Sequence, residues 1–345
     1  MRTWGIAVLL TVVVVVAGCG GGSSDPSPST SPTPDEAPSV AVGDCLDAGA
    51  GESGLTPEML ESSLVVDCAE PHAVEVLAVE PLPEDLTSKG VATLEYRDTL
   101  LDLVQDPRSN RQRELSDWVW QTCSDAYATA AGLDAVRVDR QKAVKDFVIT
   151  DASRTASLAF DFPEESWEDE PRLVCVNRYT EPRAVRDDPA RADALDVEGT
   201  PFADYLSPDF PVDMRLCLEL DDGGVLVTGD CTRQHYVELF FAFDADTVLD
   251  DELLETIEAT TTSLSLDTYL ALDELCTSAL GDVIGRGYDA DAVTGYAQLA
   301  TGWADGAHYR TIHCGVRPVD SGTFDLGPGS IVGIKDGEIP LVPIA

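Results

Sequence analysis

Two stretches of the chain share the pattern that decides the fold, VDCAEPHAVEV at 66–76 and TGDCTRQHYVEL at 228–239. Each contains Asp-Cys-x-x-x-His-x-Val-Glu followed by an apolar residue. The apolar residues after each histidine predict a β-strand. A pattern of this length that occurs twice in the same order indicates a tandem duplication.

Further matches flank the two stretches. The third cysteine of each set, Cys123 or Cys276, lies in a segment whose apolar residues recur at helical spacing. A tryptophan, Trp167 or Trp303, precedes the fourth cysteine. We therefore expect two α+β modules, at 39–182 and 210–319, with a linker at 183–209 and a C-terminal tail at 320–345.

The cysteines divide in the same way. Nine are present, and assigning Cys19 to a lipid anchor leaves eight. An exported protein with an even number of cysteines is expected to form disulfides. Four cysteines allow three pairings, and economy favours joining first to second and third to fourth. The expected disulfides are Cys45–Cys68, Cys123–Cys175, Cys217–Cys231 and Cys276–Cys314.

The N-terminus predicts export and anchoring. Arg2 precedes an apolar run at 6–17, and Ala17 and Gly18 stand directly before Cys19. This is the layout of a signal peptide at 1–18, and its end resembles a bacterial lipoprotein signal, in which the cysteine is diacylated. The alternative is an ordinary secretory signal with a chance cysteine. Residues 20–38 are almost wholly Gly, Ser, Pro, Thr and acid, so 19–38 is interpreted as a lipidated cysteine and tether.

The charge balance limits the choice of partners. The 345 residues include 22 Lys and Arg against 63 Asp and Glu, which gives a net charge of −41. A chain of this charge repels polyanions, so nucleic acid is excluded as a partner. The expected partners are the membrane, through the anchor, and an envelope protein or wall component.

The motif residues resemble a known family. GDCLD at 43–47, the stretch at 66–76, the helical cysteine and Trp167 before RLVC at 172–175 resemble the septum-formation domain family of exported actinobacterial proteins. The second copy keeps its four cysteines, His235, Glu238 and Trp303, but lacks Gly-Asp before its first cysteine. The resemblance implies a cell-envelope role near division and points to no known catalytic activity.

The His-x-x-Glu pairs, His72 with Glu75 and His235 with Glu238, are the sharpest candidates for metal ligands. Residues three apart on a strand point to opposite faces, so we expect each pair not to converge on an ion. We interpret each histidine as structural, hydrogen-bonded at a turn beside a disulfide. The sequence therefore predicts no metal site and no cofactor.

The leading functional hypothesis is a non-enzymatic lipoprotein on the outer face of the cell membrane that binds or organises envelope components, in connection with septum formation. Two alternatives stay open. One is a wall-acting enzyme that uses a pair of carboxylates, for which a raised pKa in a cleft would be the sign. The other is a solute- or metal-binding lipoprotein with a deep pocket between the modules.

Overall fold

The computed structural model describes residues 40–47, 64–84, 110–138, 144, 149–151, 156–163, 171–180, 195–221, 223–245, 266–285, 287–304, 307–334 and 338–344. The signal peptide, Cys19, the tether and Trp167 lie outside these residues. The sequence also predicts helices at 90–104 and 250–260, and both segments lie outside the described residues as well. No helix in the described ranges is both long enough and apolar enough to cross a bilayer.

The described chain is a mixture of helix and sheet in which sheet dominates. The two long helices are α1 (Asn110–Ala130) and α2 (Leu266–Val283). In the first half of the chain the strands are β1 (Cys45–Asp47), β2 (Leu64–Val66), β3 (Val74–Pro81), β4 (Ile149–Asp151), β5 (Ala156–Asp161) and β6 (Arg172–Tyr179). In the second half they are β7 (Leu216–Leu220), β8 (Leu226–Gly229), β9 (Val237–Asp244), β10 (Val293–Ala304), β11 (Ala307–Pro318), β12 (Phe324–Leu326) and β13 (Leu341–Pro343).

The order of strands is the same in the two halves. The first half is ordered β5-β6-β3-β1-β2, and the second β10-β11-β9-β7-β8, with neighbours antiparallel throughout. In chain order each half has two short strands, a long strand, the helix and two further strands, and the first half has β4 as an additional short strand between α1 and β5. The short strand β4 pairs with β5 and with β9, so the described sheet of eleven strands runs through both halves.

The register repeats as well. Cys45 pairs with Glu75 between β1 and β3, and Cys217 pairs with Glu238 between β7 and β9. Each long strand then has an irregularity two residues beyond its glutamate, where its pairing with β6 or β11 shifts. The two glutamates therefore occupy equivalent positions in the two halves of the sheet.

The helices pack on the sheet through one apolar face and a disulfide. Leu115, Val119, Cys123 and Tyr127 repeat every four residues along α1, and all are buried. Cys123 is bonded to Cys175 on β6, and Cys276 of α2 is bonded to Cys314 on β11. The other two disulfides, Cys45–Cys68 and Cys217–Cys231, join the first short strand of each half to the turn before the histidine.

The structure thus confirms the expected pairing of all eight cysteines, with Cα–Cα distances of 5.1–5.3 Å. Each such bond typically contributes about 2–4 kcal/mol to stability. The strands that follow the two histidines, β3 and β9, and both described helices also lie where the periodicity predicts them. The hairpin strand β10 was not expected.

Two segments that we placed outside the modules are packed into the structure. The first strap, residues 195–207, pairs through Val197 with His72, and its Phe202 and Tyr205 are fully buried. The second strap, residues 323–334, pairs through Leu326 with His235, and its Ile331 and Val332 are buried. Each half is therefore followed by a strap that bonds to its histidine turn.

Two glycines in the second half allow a matched test of how closely α2 lies on the sheet. A Cβ added at Gly295 would collide with the backbone nitrogen of Thr277 on α2, whereas one at Gly281 meets only Tyr288, at 3.9 Å. We expect Gly295→Ala to lower the free energy of unfolding by about 1–3 kcal/mol because the helix must move. Gly281→Ala should raise it by about 0.5–1 kcal/mol through helix propensity.

Denaturant unfolding under non-reducing conditions measures both changes. Equal effects of the two substitutions would contradict the close approach of α2 to β10.

Candidate functional site

Each histidine follows a turn that an aspartate holds in place. Asp67 accepts a hydrogen bond from the N–H of Ala69 (3.0 Å), and Asp230 accepts one from the N–H of Thr232 (2.8 Å). Aspartate commonly stabilises a turn in this way. The turn brings the Nδ1 atoms of His72 and His235 to 2.9 Å from the carbonyl oxygens of Glu70 and Arg233. Because a carbonyl only accepts, both Nδ1 atoms carry a hydrogen. Both Nε2 atoms are buried.

The expectation that His72 and Glu75 point apart is wrong. The Nε2 atom of His72 lies 3.7 Å from Oε1 of Glu75, and both side chains are buried. The reason is that β3 begins at Val74, so His72 lies before the strand in a single bridge to Val197. The alternation of faces along a strand therefore does not apply to this pair.

Glu75 is held by the far end of β6. The hydroxyl of Tyr179 donates a hydrogen bond of 2.7 Å to Oε1 of Glu75 and accepts one of 3.2 Å from the N–H of Phe202 in the first strap. Burial raises the pKa of Glu75 above its ordinary value, although Tyr179 and His72 both act in the opposite direction. Burial, together with the charge of Glu75, also raises the pKa of Tyr179, so this hydroxyl remains a donor.

Glu238, the equivalent residue of the second half, has a cation as its neighbour. Its Oε1 lies 4.0 Å from Nε of Arg215, and both side chains are fully buried. The hydroxyl of Ser330 donates to Oε1, and the N–H of Ile331 donates to Oε2 at 2.8 Å. The second strap and one arginine thus compensate for the burial of this carboxylate.

The first half has a cleft at the corresponding place, with a volume of about 860 Å³. Glu75 lies in its wall, α1 forms one side, and the first strap reaches it through Thr200 and Ala203. The lining residues are Val42, Gly43, Glu75, Val76, Leu77, Ala78, Glu80, Trp118, Thr122, Asp125, Ala126, Thr129, Ala130, Thr200 and Ala203. All of these belong to the first half, whereas the binding alternative called for a pocket between the modules.

The tryptophans occupy different positions. Trp120 packs edge-on against Phe160, with ring centroids 5.1 Å apart, whereas half-buried Trp118 lines the cleft. Trp303 lies in β10, but its side chain is outside the described part, and Trp167 is outside it altogether. Within the described residues, no group of three or more His, Cys, Asp or Glu side chains could hold a metal ion.

Sequence reasoning assigned no place in this region to four of its residues, namely Gly43, Tyr179, Thr200 and Arg215, although Gly43 belongs to the motif at 43–47. One signal could have found two of them. Gly43 and Arg215 each stand two residues before the first cysteine of their set, so aligning the halves on the cysteines places a glycine opposite an arginine. Tyr179 and Thr200 carry no such signal, because only the folded sheet and strap bring them to Glu75.

The chain was compared with protein-family models, with curated proteins and with solved structures, and none of the three comparisons found a match. The site is therefore interpreted from its own geometry.

The raised pKa of Glu75 predicts a pH dependence of stability. The fold favours the protonated carboxyl of Glu75, and this preference contributes to the free energy of unfolding. The contribution is fully present below about pH 4.5, the ordinary pKa, and is lost as the pH rises through the raised pKa of the folded protein. The stability of the natural chain relative to Glu75→Gln, which is neutral at every pH, should therefore fall as pH rises from 4.5.

Denaturant unfolding across this range measures the difference, and Glu70→Gln, which removes an exposed carboxylate, is the matched control. A difference that stays constant or grows with pH would contradict the assignment.

Arg215 and Arg233 provide a buried and an exposed ion pair in the same half. Arg215→Met leaves the buried Glu238 carboxylate without its cation, and we expect a loss of about 3–5 kcal/mol in the free energy of unfolding. Arg233, whose side chain is 65% exposed, lies 3.0 Å from Glu219, and Arg233→Met should cost about 0–1 kcal/mol.

Each substitution removes one positive charge. The difference between the two losses in the free energy of unfolding, measured by denaturation under non-reducing conditions, therefore reports how burial changes the value of the ion pair. A small and equal loss of unfolding free energy in the two variants would show that Arg215 does not compensate for the buried charge of Glu238.

Proposed function

We propose that the chain is a lipid-anchored binding protein on the outer face of the cell membrane. Four disulfides carry this proposal, because such bonds form and persist in oxidising compartments and are rare in the cytosol. The sequence at 1–19 supports export and diacylation of Cys19. The acyl chains would hold the protein in the bilayer, and the tether would keep the folded part away from it.

The folded part, on this proposal, consists of two tandem copies of one module. Three observations support the duplication: the repeated order of strands, the equal register around Glu75 and Glu238, and the equivalent disulfides. Each strap bonds to the histidine turn of its own half, so we assign the straps at 195–207 and 323–334 to the modules. The resemblance to the septum-formation domain family supports a role near the division site.

Binding agrees with the chemistry of the cleft better than nucleophilic catalysis does. Every cysteine in the described part is in a disulfide, so none of these eight is a thiolate nucleophile or a zinc ligand. His72 and Tyr179 are fixed by hydrogen bonds to the turn and the first strap. The open volume lies beside them and is lined largely by apolar and small side chains.

One observation favours a second candidate, a wall-acting enzyme with a carboxylate pair. Glu75 has a raised pKa and shares its cleft with Asp125, which are attributes of a general acid and its partner. Release of soluble fragments from purified cell wall by the natural chain, and its loss in both Glu75→Gln and Asp125→Asn, would establish this function in place of binding.

Membrane fractionation tests the anchoring. Cys19→Ser removes the acylated thiol, so we expect the protein to move from the membrane fraction to the soluble extracytoplasmic fraction. Gly21→Ser, which introduces the same residue two positions later, is the matched control and should stay with the membrane. A Cys19→Ser protein that remains on the membrane would disprove lipid anchoring.

A further inference from the structure

Arg215 is the natural starting point for identifying what the cleft binds. Its guanidinium carbon lies 4.8 Å from the ring centroid of Tyr205 and 4.5 Å from that of Phe210, and its Nη2 donates to the carbonyl of Ser207 at 3.0 Å. Its Nε faces Glu238. The second half thus contains an arginine that lies against two aromatic rings, donates a hydrogen bond to one carbonyl and has a buried carboxylate 4.0 Å from its Nε.

The first half has the same cysteine, glutamate and strap positions but no arginine two residues before its first cysteine. The equivalent position is Gly43, and a Cβ built there would meet no atom of the described residues within 4 Å. Gly43 and Glu75 line the cleft together, just as Arg215 and Glu238 lie together in the second half. The position that carries an arginine in the second half therefore carries, in the first half, a glycine at the wall of a cleft that is large enough to admit such a side chain.

The strap completes the correspondence. The N–H groups of Gly199 and Gly329 donate to the carbonyls of Cys68 and Cys231, at 2.6 and 2.8 Å. The next residues are Thr200 and Ser330, both with a hydroxyl. Ser330 donates to Glu238, whereas Thr200 lies in the wall of the cleft beside Glu75. Glu75 therefore shares the wall of its cleft with a hydroxyl-bearing residue, and within the described residues the partner in its ion pair is His72 and not an arginine.

The remaining walls suit a guanidinium on an aliphatic stem. Trp118 provides an aromatic face, and Leu77 and Ala126 provide apolar contacts, while Asp125 and Glu80 add negative charge. A guanidinium is planar, weakly hydrated and stacks on aromatic rings, so it fits this wall better than a compact ammonium does. The net charge of −41 would also attract a cationic partner.

We propose that this cleft binds an arginine side chain of a partner protein, with the guanidinium beside the carboxylate of Glu75 as Arg215 lies beside Glu238. The inference rests on the proposed binding function and specifies its ligand chemistry. The stem of the bound arginine would run along Leu77 and Ala126, and the guanidinium would replace water at the buried carboxylate.

The test is a titration of the full oxidised chain with three blocked tripeptides, acetyl-Gly-X-Gly-amide, in which X is arginine, citrulline or lysine. Citrulline has the shape of arginine without its charge. NMR shifts of the Gly43 and Thr200 amides and of the Trp118 indole report binding. We expect saturable shifts with arginine, at least roughly tenfold weaker binding with citrulline, and intermediate binding with lysine.

Two variants separate the site from the fold. Glu75→Gln preserves the acceptor for Tyr179 and should weaken arginine binding roughly tenfold or more, whereas Glu70→Gln, at an exposed glutamate outside the cleft, should leave it unchanged. Ala126→Trp fills the cleft without changing charge and should abolish the shifts. Unchanged disulfide content and amide dispersion establish that each variant is folded.

Equal shifts with arginine and citrulline, full binding by folded Glu75→Gln, or no shift in the natural chain would each overturn the proposal. Preference for lysine would overturn the assignment of a guanidinium. If the titration shows no arginine binding while Cys19→Ser is still released from the membrane, only the arginine cleft is rejected. Membrane fractionation tests the anchored location independently.

Discussion

A carboxylate that is removed from water must receive hydrogen bonds or a positive charge, and this requirement shapes both halves of the protein. The strand that follows each histidine turn places a glutamate beneath a strap, at the position opposite the first cysteine of its half. In the second half, Arg215, Ser330 and Ile331 meet the requirement. In the first half, Tyr179 donates one bond, and burial keeps the pKa of Glu75 raised.

The same constraint explains why the straps belong to the fold. Ile331 can donate to Glu238 only because the second strap is tied to the histidine turn by its bridge to His235. The first strap is tied in the same way through Val197, but it also provides Tyr205, whose hydroxyl donates to the carbonyl of Phe240 at 2.6 Å and whose ring lies against Arg215. The first strap thus packs against Arg215 in the second half, while in the first half it forms part of the wall of the cleft.

Local patterns predicted the elements that are long and buried on one face, and the order of the cysteines predicted the disulfides. The local patterns did not predict β10, because VTGYAQLATGWA at 293–304 contains two glycines and does not alternate regularly between apolar and polar residues. The straps were missed because their residues become buried only against a sheet that other segments build. The contact between His72 and Glu75 was missed for a local reason, since the strand begins two residues later than the histidine. Arg215 was missed because comparing the halves requires attention to residues that differ as well as to those that match.

Two equivalent buried carboxylates thus have different surroundings: the chain's own Arg215 lies beside Glu238, whereas Glu75 lies in the wall of a cleft. A crystal structure of the full chain soaked with arginine amide tests this difference most directly. We predict a guanidinium beside the carboxylate of Glu75, between Thr200 and Trp118, with Arg215 still against Glu238. A cleft closed by one of the chain's own side chains, or arginine amide bound elsewhere with none beside Glu75, would contradict it.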